Sequence, residues 1–545
     1  MPAFDFSFVD PLDRVGIQGE LGTRYNRRLM LRCAALLAVF STLLLGQRGV
    51  EPPDGVVRIM GTVAFEKVAV TEKGLEPEHR TELPAAEVPV ELVRTSDGAV
   101  LGRVTTNDDG SFALQVPPAP RTMAYLRVLA DTRWARVLDV EHEAVYAIYS
   151  PDEFILRPGP PRVVNLVATD ENRGSGPFHI LWAIQQVHAS LPRSRTAAIP
   201  RITVRWDDAY RGNAQYRPAT REIWLKGDRL TDSDEYDEAL IFHEYAHVLT
   251  DALSPRCTVT GPHRLEDELD SRHAWAEGFA TFLSASIRHN ATYIDSGGRL
   301  NPVALKFSIE PNRRAHIAPG PWSEYTVAAL LWDAASEGPG DIPDDHLGLG
   351  LPRLWKTLTG TFRAAEMPDL IGFLNALMPA QSTLPWPALL NHHGIRYDPH
   401  LDPRVANPKL LPLPAGTRLA DRVDSTGPLD APHRNAHHAS AFYTFTTTAP
   451  RLQTITVTRD APTEGADPLQ VHLLTKRLAP IMTMSVPPRE TTVRMRRVLN
   501  PGTYVVEVRS WTGACDAGTL TGCGQAAFTI NRTDTSPTLE PRVKR

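Results

Sequence analysis

The chain has 545 residues, too many for one hydrophobic core and enough for about three or four domains. With 42% hydrophobic and 22% charged residues it has the composition of a soluble protein, which argues against a polytopic membrane protein and against an extended disordered chain. The formal net charge is only -5 and no long basic run occurs, so nucleic acid is not expected as a partner.

Residues 1–50 contain Arg24, Arg27, Arg28 and Arg32, followed by the apolar run CAALLAVFSTLLLG at 33–46. A basic segment ahead of roughly 7–15 apolar residues is the pattern of a secretory signal. The run is short of the roughly 20 residues that cross a bilayer. Leu44 stands where a small residue should precede cleavage after Gly46. Residues 29–46 therefore read either as a cleaved signal starting at Met30 or as an uncleaved anchor with its arginines inside. Either reading makes the rest a secreted or cell-envelope protein (periplasmic or extracellular), with membrane anchoring confined to this segment.

Residues 55–150 read as strands. VPVELVRT (88–95), VLGRVTT (100–106) and SFALQV (111–116) alternate in polarity, and Asn107-Asp108-Asp109-Gly110 is a tight-turn signal. Asp108 and Asp109 are better explained by that turn than by calcium. The pattern GRVTTNDDGSFAL resembles the transthyretin-like, or carboxypeptidase regulatory-like, sandwich, which implies a structural or binding module.

After the Pro-rich junction RPGPPR at 157–162, residues 163–400 change character. A helix is predicted over 178–191 and strands over 202–206 and 222–226, ahead of DEALIFHEYAHVLTDALS at 237–254. His243, Glu244 and His247 spell HExxH. Two histidines four apart lie on one face of a helix, where they can grip one zinc ion while the glutamate reaches a water on it. The strand at 222–226 is expected to be the edge that pairs with an extended substrate.

Catalytic zinc usually takes three protein ligands. The metzincin pattern HExxHxxGxxH is excluded, because Thr250 and Leu253 occupy its glycine and third-histidine positions. Thirty residues after His247 comes AWAEGFATF at 274–282, carrying Glu277. HEYAH followed by AWAEGFA resembles the gluzincin arrangement, which implies Glu277 as third ligand and Zn2+ as cofactor. The family's aspartate four residues beyond that glutamate is replaced by Thr281, so Thr281 or another acid such as Asp270 must orient His243. Asp270 is also the alternative third ligand, as in aspzincins. In EYTVAALLWD (324–333), Tyr325 is the candidate oxyanion donor by the same resemblance, a core tyrosine being the plainer reading. His263 could contact substrate, although a surface role is the simpler reading for both His263 and His273. His392 and His393 receive no role.

Residues 408–533 again alternate as strands: SAFYTFTT (440–447), LQTITVTR (452–459), LQVHLLT (469–475) and GTYVVEVRS (502–510). FYTF followed by LNPGTYVVEV resembles the pre-peptidase C-terminal sandwich, which implies adhesion, secretion or retention near substrate. Cys515 and Cys523 could close a small disulfide loop in an oxidising compartment, and residues 534–545 read as a disordered tail.

The expected architecture is multidomain: a β-sandwich, a mainly α (α+β) zincin-like catalytic domain, and a second β-sandwich. The expected activity is that of a secreted or surface zinc metallopeptidase acting on peptide or protein substrates, with Glu244 as general base. The alternative is a catalytically inactive zincin-like protein that serves in surface binding or adhesion.

Overall fold

The structure, a computed structural model, describes residues 55–536 apart from 193–198, 256–258, 260–262, 311–315, 318, 337–346, 366, 382–383, 396–409, 425–438, 461–468, 477, 488–489 and 511–524. The arginine-rich N-terminal segment with its apolar run, and both Cys515 and Cys523, lie outside the described residues. Among the described residues no helix is long and apolar enough to cross a membrane.

The first sandwich is built from β1 (Val57–Thr71), β2 (Gly74–Pro84), β3 (Pro89–Arg94), β4 (Val100–Thr105), β5 (Ser111–Val116) and β6 (Ala119–Leu129). β1 pairs antiparallel with β2 and β5, while β3 lies between β4 and β6. The alternation in SFALQV buries Phe112, Leu114 and Val116. Gly110 closes the turn at φ +77°, and Asp109 Oδ1 accepts the Ser111 N–H at 3.0 Å, the turn role expected of it.

The boundary suggested near residue 160 is crossed in both directions. β7 (Ala135–Leu138) leaves the sandwich, whereas β8 (Ala147–Tyr149) and β9 (Phe154–Leu156) return to β6. β10 (Arg162–Val163) and β11 (Leu166–Ala168) run parallel to β1. After α1 (Ser175–Ser190) come β12 (Ile202–Asp207), β13 (Gln215–Arg217), β14 (Glu222–Asp228) and β15 (Asp232–Ser233). Their sheet runs in the order β13-β14-β12-β7, so the first sandwich supplies one of its strands. One buried apolar core accordingly extends from Val57 to Ile395.

The helical part follows: α2 (Glu238–Leu253), α3 (Ser271–Arg288), the hairpin β16 (Thr292–Ser296) and β17 (Val303–Ser308), α4 (Glu324–Ala335), α5 (Gly350–Thr359), α6 (Leu370–Leu377) and α7 (Trp386–His392). Asp270 caps α3 by accepting the Arg272 N–H at 3.0 Å, and Ser323 caps α4 through Thr326 N–H at 3.2 Å. α3 and α4 approach closely at Gly278. A Cβ there would stand 2.5 Å from both the Glu324 carbonyl oxygen and Val327 Cβ, which is why a glycine follows Glu277.

The C-terminal sandwich comprises β18 (Leu410–Pro412), β19 (Arg418–Asp424), β20 (Ser440–Thr447), β21 (Arg451–Arg459), β22 (Leu469–Thr475), β23 (Pro480–Val486), β24 (Thr492–Leu499), β25 (Gly502–Arg509) and β26 (Gln525–Thr535). Its sheets run β18-β20-β25-β22-β23 and β19-β26-β21-β24 around a core of their own. β26 pairs with β21 as far as Thr535, so strand persists two residues into the stretch expected to be a disordered tail. The sandwich is fastened to α3 by Arg272, which is fully buried between Asp270 (2.9 Å) and Glu507 (2.7 Å) and lies over the Phe442 ring at 4.6 Å. Two carboxylates and an aromatic face replace the water that such a charge would otherwise need.

Candidate metal centre

The HEYAH helix is held from behind. Ile241, Ala246, Val248 and Leu249 of α2 are buried, and so is Tyr245. Burial pushes the His188 imidazole of α1 down to about 4, so the ring is neutral and its Nε2 accepts the Tyr245 hydroxyl at 2.7 Å. Trp134, from the first sandwich, stacks on the same ring at 3.6 Å. The motif's central tyrosine thus ties α2 to α1 and leaves His243 and His247 facing the cleft.

On the cleft side, α2 and α3 bring three groups together. Glu277 Oε2 lies 3.1 Å from His243 Nε2 and 3.2 Å from His247 Nε2, and the two imidazole nitrogens are 3.2 Å apart. Burial alone would raise the Glu277 pKa, but His247 and His263 hold this carboxyl well below the usual range. Burial would likewise lower His247, but Glu277 outweighs it and raises the histidine's affinity for a proton. These are the attractions a shared cation would satisfy, and the three residues offer one ligand atom each within 4.8 Å. Behind them, Thr281 Oγ1 lies 3.2 Å from His243 Nδ1. With Nε2 turned to the cluster, Nδ1 carries the proton and donates to the hydroxyl.

The trio stands in a cleft of about 780 Å³. Glu244 lines it and is only 6% exposed, and its Oε2 has no hydrogen-bond partner among the described residues. Tyr293 of β16 sets its ring edge-on to His243 at 6.1 Å. Burial, then Asp295 and Glu244, push this phenol well above its ordinary range, so it stays a hydrogen-bond donor. At one end of the cleft Asp234 and Asp295 gather with Asp232, each offering an oxygen within 4.8 Å, and the Lys226 ammonium pairs with Asp232. Burial, and after it the nearby Asp295, push Asp234 and Asp237 well above the usual carboxyl range, and burial with Asp232 raises Asp295 to about 7. At the other end His263 faces Glu324 at 3.1 Å.

Residues 189–364 match the family model of the Mycolysin C-terminal domain. The matched stretch is less than half of the chain, and it contains His243, Glu244, His247, Glu277, Tyr293 and Glu324. The mycolysin match gives this region a peptidase context. No curated protein matches the chain. Among solved structures, the pre-peptidase C-terminal domain of collagenase from Bacillus anthracis is similar at 11% identity and a TM-score of 0.16, over 23% of this chain and 93% of that one. The periplasmic inhibitor of g-type lysozyme, PliG, from Aeromonas hydrophila is similar at 12% identity and a TM-score of 0.16, over 23% and 96%. Scores of this size carry no weight for either sandwich.

Within the mycolysin-matched region, the structure brings His243, His247, Glu277 and Glu244 to one place and leaves others out. Tyr325 is not in the cleft: it is 2% exposed, and its hydroxyl donates to the Ser308 carbonyl at 2.8 Å. That corrects its assignment as oxyanion donor; the apolar face of α4 that carries it points into the core. Asp270, the alternative third ligand, is the cap of α3 and a partner of Arg272. The strand at 222–226 is covered on both sides by β12 and β13, so the sheet edge that borders the cleft is β13 with Asn213 and Ala214 before it. Tyr293, Glu324, Asp234 and Asp295 carry no motif, and the sequence reading missed them. The one available signal was position, since Tyr293 is the second residue of the first strand after the Glu277 helix.

Proposed function

We propose that this chain is a secreted zinc metallopeptidase of gluzincin type, in which His243, His247 and Glu277 hold the metal. The observation that carries the reading is the convergence of two imidazole nitrogens and one carboxylate oxygen at 3.1–3.2 Å, beside a buried, unpartnered oxygen of Glu244. A tetrahedral ion with ligands at about 2.0–2.2 Å separates them by roughly 3.3–3.6 Å, close to what the trio already has, so the donor set fits zinc. The match of residues 189–364 to a domain found in secreted metallopeptidases supports the same reading, as does the signal-like segment at 29–46.

When bound, zinc would polarise a water molecule and the scissile carbonyl. Glu244 takes the proton and returns it to the leaving amine. Tyr293, kept protonated, donates to the carbonyl oxygen as charge develops there. Asn213 to Tyr216 and the free side of β13 receive the extended peptide backbone. The test is Glu244→Gln in the purified chain, which should retain zinc and lose hydrolysis of a denatured protein by on the order of 10³-fold or more. Wild-type protein that binds zinc and hydrolyses nothing would instead be the inactive surface-binding protein.

A further inference from the structure

The trio uses only one oxygen of Glu277. The other, Oε1, lies 3.3 Å from Nε2 of His273, one turn earlier on α3. His273 is 2% exposed, and this nitrogen has no hydrogen-bond partner among the described residues despite its closeness to the carboxylate. A nitrogen that shares an ion with an oxygen aims its lone pair at the ion and not at the oxygen, which gives this combination of short distance and failed hydrogen-bond geometry. His263 brings Nε2 to 3.8 Å from Glu277 Oε2 and 3.1 Å from Glu324 Oε2. The His263 and His273 rings meet edge to face at 4.8 Å. One ligand atom each from His263, His273 and Glu277 falls within 4.8 Å, and Glu324 adds a fourth donor.

We propose that His263, His273, Glu324 and the Oε1 side of Glu277 form a second zinc site, bridged by Glu277 to the first. The inference rests on the peptidase reading for the first ion and goes beyond it by making the centre binuclear. Contacts of 3.1, 3.3 and 3.8 Å bracket the roughly 3.3–3.6 Å edge of a tetrahedral zinc site. Two imidazoles and two carboxylates are suitable donors, and a bridging carboxylate sets two ions about 3.5–4 Å apart, the spacing of two-metal hydrolytic centres. Charge points the same way. Glu244, Glu277 and Glu324 all line the cleft and are nearly buried, and one divalent ion falls short of neutralising three carboxylates. In such a pair the second ion would sit beside the trio on the His263 side, where it could hold a carbonyl or carboxylate oxygen of the substrate.

The experiment is zinc content by mass spectrometry on the full chain, stripped with chelator, dialysed against zinc and then against metal-free buffer. Two zinc ions per chain are expected, falling to one in both His263→Asn and Glu324→Gln, while His243→Asn retains the ion at His263 and His273. The His263 side chain is 26% exposed and on the cleft wall, so its replacement should leave the core intact. One ion in the wild type overturns the second site and leaves the peptidase reading standing, whereas none overturns both. Two ions that persist in His263→Asn and Glu324→Gln place the extra zinc elsewhere and overturn the proposal. Should one of these two variants misfold, the wild-type count of two together with the other variant still decides.

Discussion

Glu277 and Asp234 are both carboxylates buried in the wall of one cleft, and their protons are driven in opposite directions. Glu277 is held well below the ordinary range because His247 and His263 surround it. Asp234 is raised well above it because burial is reinforced by Asp295 and Asp232, with Lys226 as the countervailing cation. Equal burial therefore goes with a carboxyl held in its charged form beside imidazoles at one place in the cleft and with one that keeps its proton at another. The nearest neighbours decide which, since desolvation opposes the charged form at both ends.

The largest expected effect tests that division directly. Glu277→Ala should weaken zinc binding by more than about a hundredfold, read by competition with a chelating dye, whereas Asp234→Asn should leave zinc affinity unchanged. If Asp234→Asn lost zinc as well, the two ends would be one site. Tyr293, which senses both Asp295 and Glu244, stands between them. Tyr293→Phe should lower kcat by on the order of 10²-fold with little change in KM, because the hydroxyl is needed only when the carbonyl oxygen becomes charged. An unchanged kcat would remove Tyr293 from the chemistry.

A smaller effect is expected at the aspartate end. The Asp295 pKa is about 7 in the fold and near its ordinary value when unfolded, so the folded state binds the extra proton. The associated stability is fully present below about pH 4 and is lost as pH rises through about 7, at up to about 1.4 kcal/mol per pH unit. Asp295→Asn should therefore raise the thermal midpoint most at pH 8, by up to about 4 kcal/mol in stability, and flatten its fall between about pH 4 and 7. A mutant whose midpoint fell in parallel with the wild type would show that Asp295 is already ionised in the fold.

What the sequence made legible was periodic or tied to a motif. The strand alternation of both sandwiches, the Asn107–Gly110 turn, the α2 and α3 helices and the trio His243, His247 and Glu277 all follow from spacing or resemblance. What it hid depends on contacts between distant segments. β7 joining β12, Trp134 stacking on His188, and Arg272 meeting Glu507 235 residues away have no local signature. The same blindness explains Tyr325. A tyrosine on an amphipathic helix can face core or cleft, and only the packing of α4 on β17 chose the core. It also explains why the first sandwich looked detachable: the Pro-rich junction reads as a linker, whereas β10 and β11 return across it to β1.

The smallest effect concerns the residue that departs from the gluzincin pattern. His243 Nδ1 donates to Thr281 Oγ1, a neutral acceptor where a carboxylate would make the imidazole a stronger electron donor. Removing the hydroxyl with Thr281→Val leaves the Nδ1–H without that partner in a site 8% exposed, and zinc affinity should fall about tenfold. Thr281→Asp should move it the other way, provided that the added charge is balanced by the cations nearby. In a site with one zinc ion, that charge joins Glu244, Glu277 and Glu324 and should give little net gain. In a two-zinc site it is compensated, and affinity at the His243 position should rise severalfold. A pair of competition titrations on Thr281→Val and Thr281→Asp thus reads both the strength of the hydroxyl's hold on His243 and the charge state of the centre behind it.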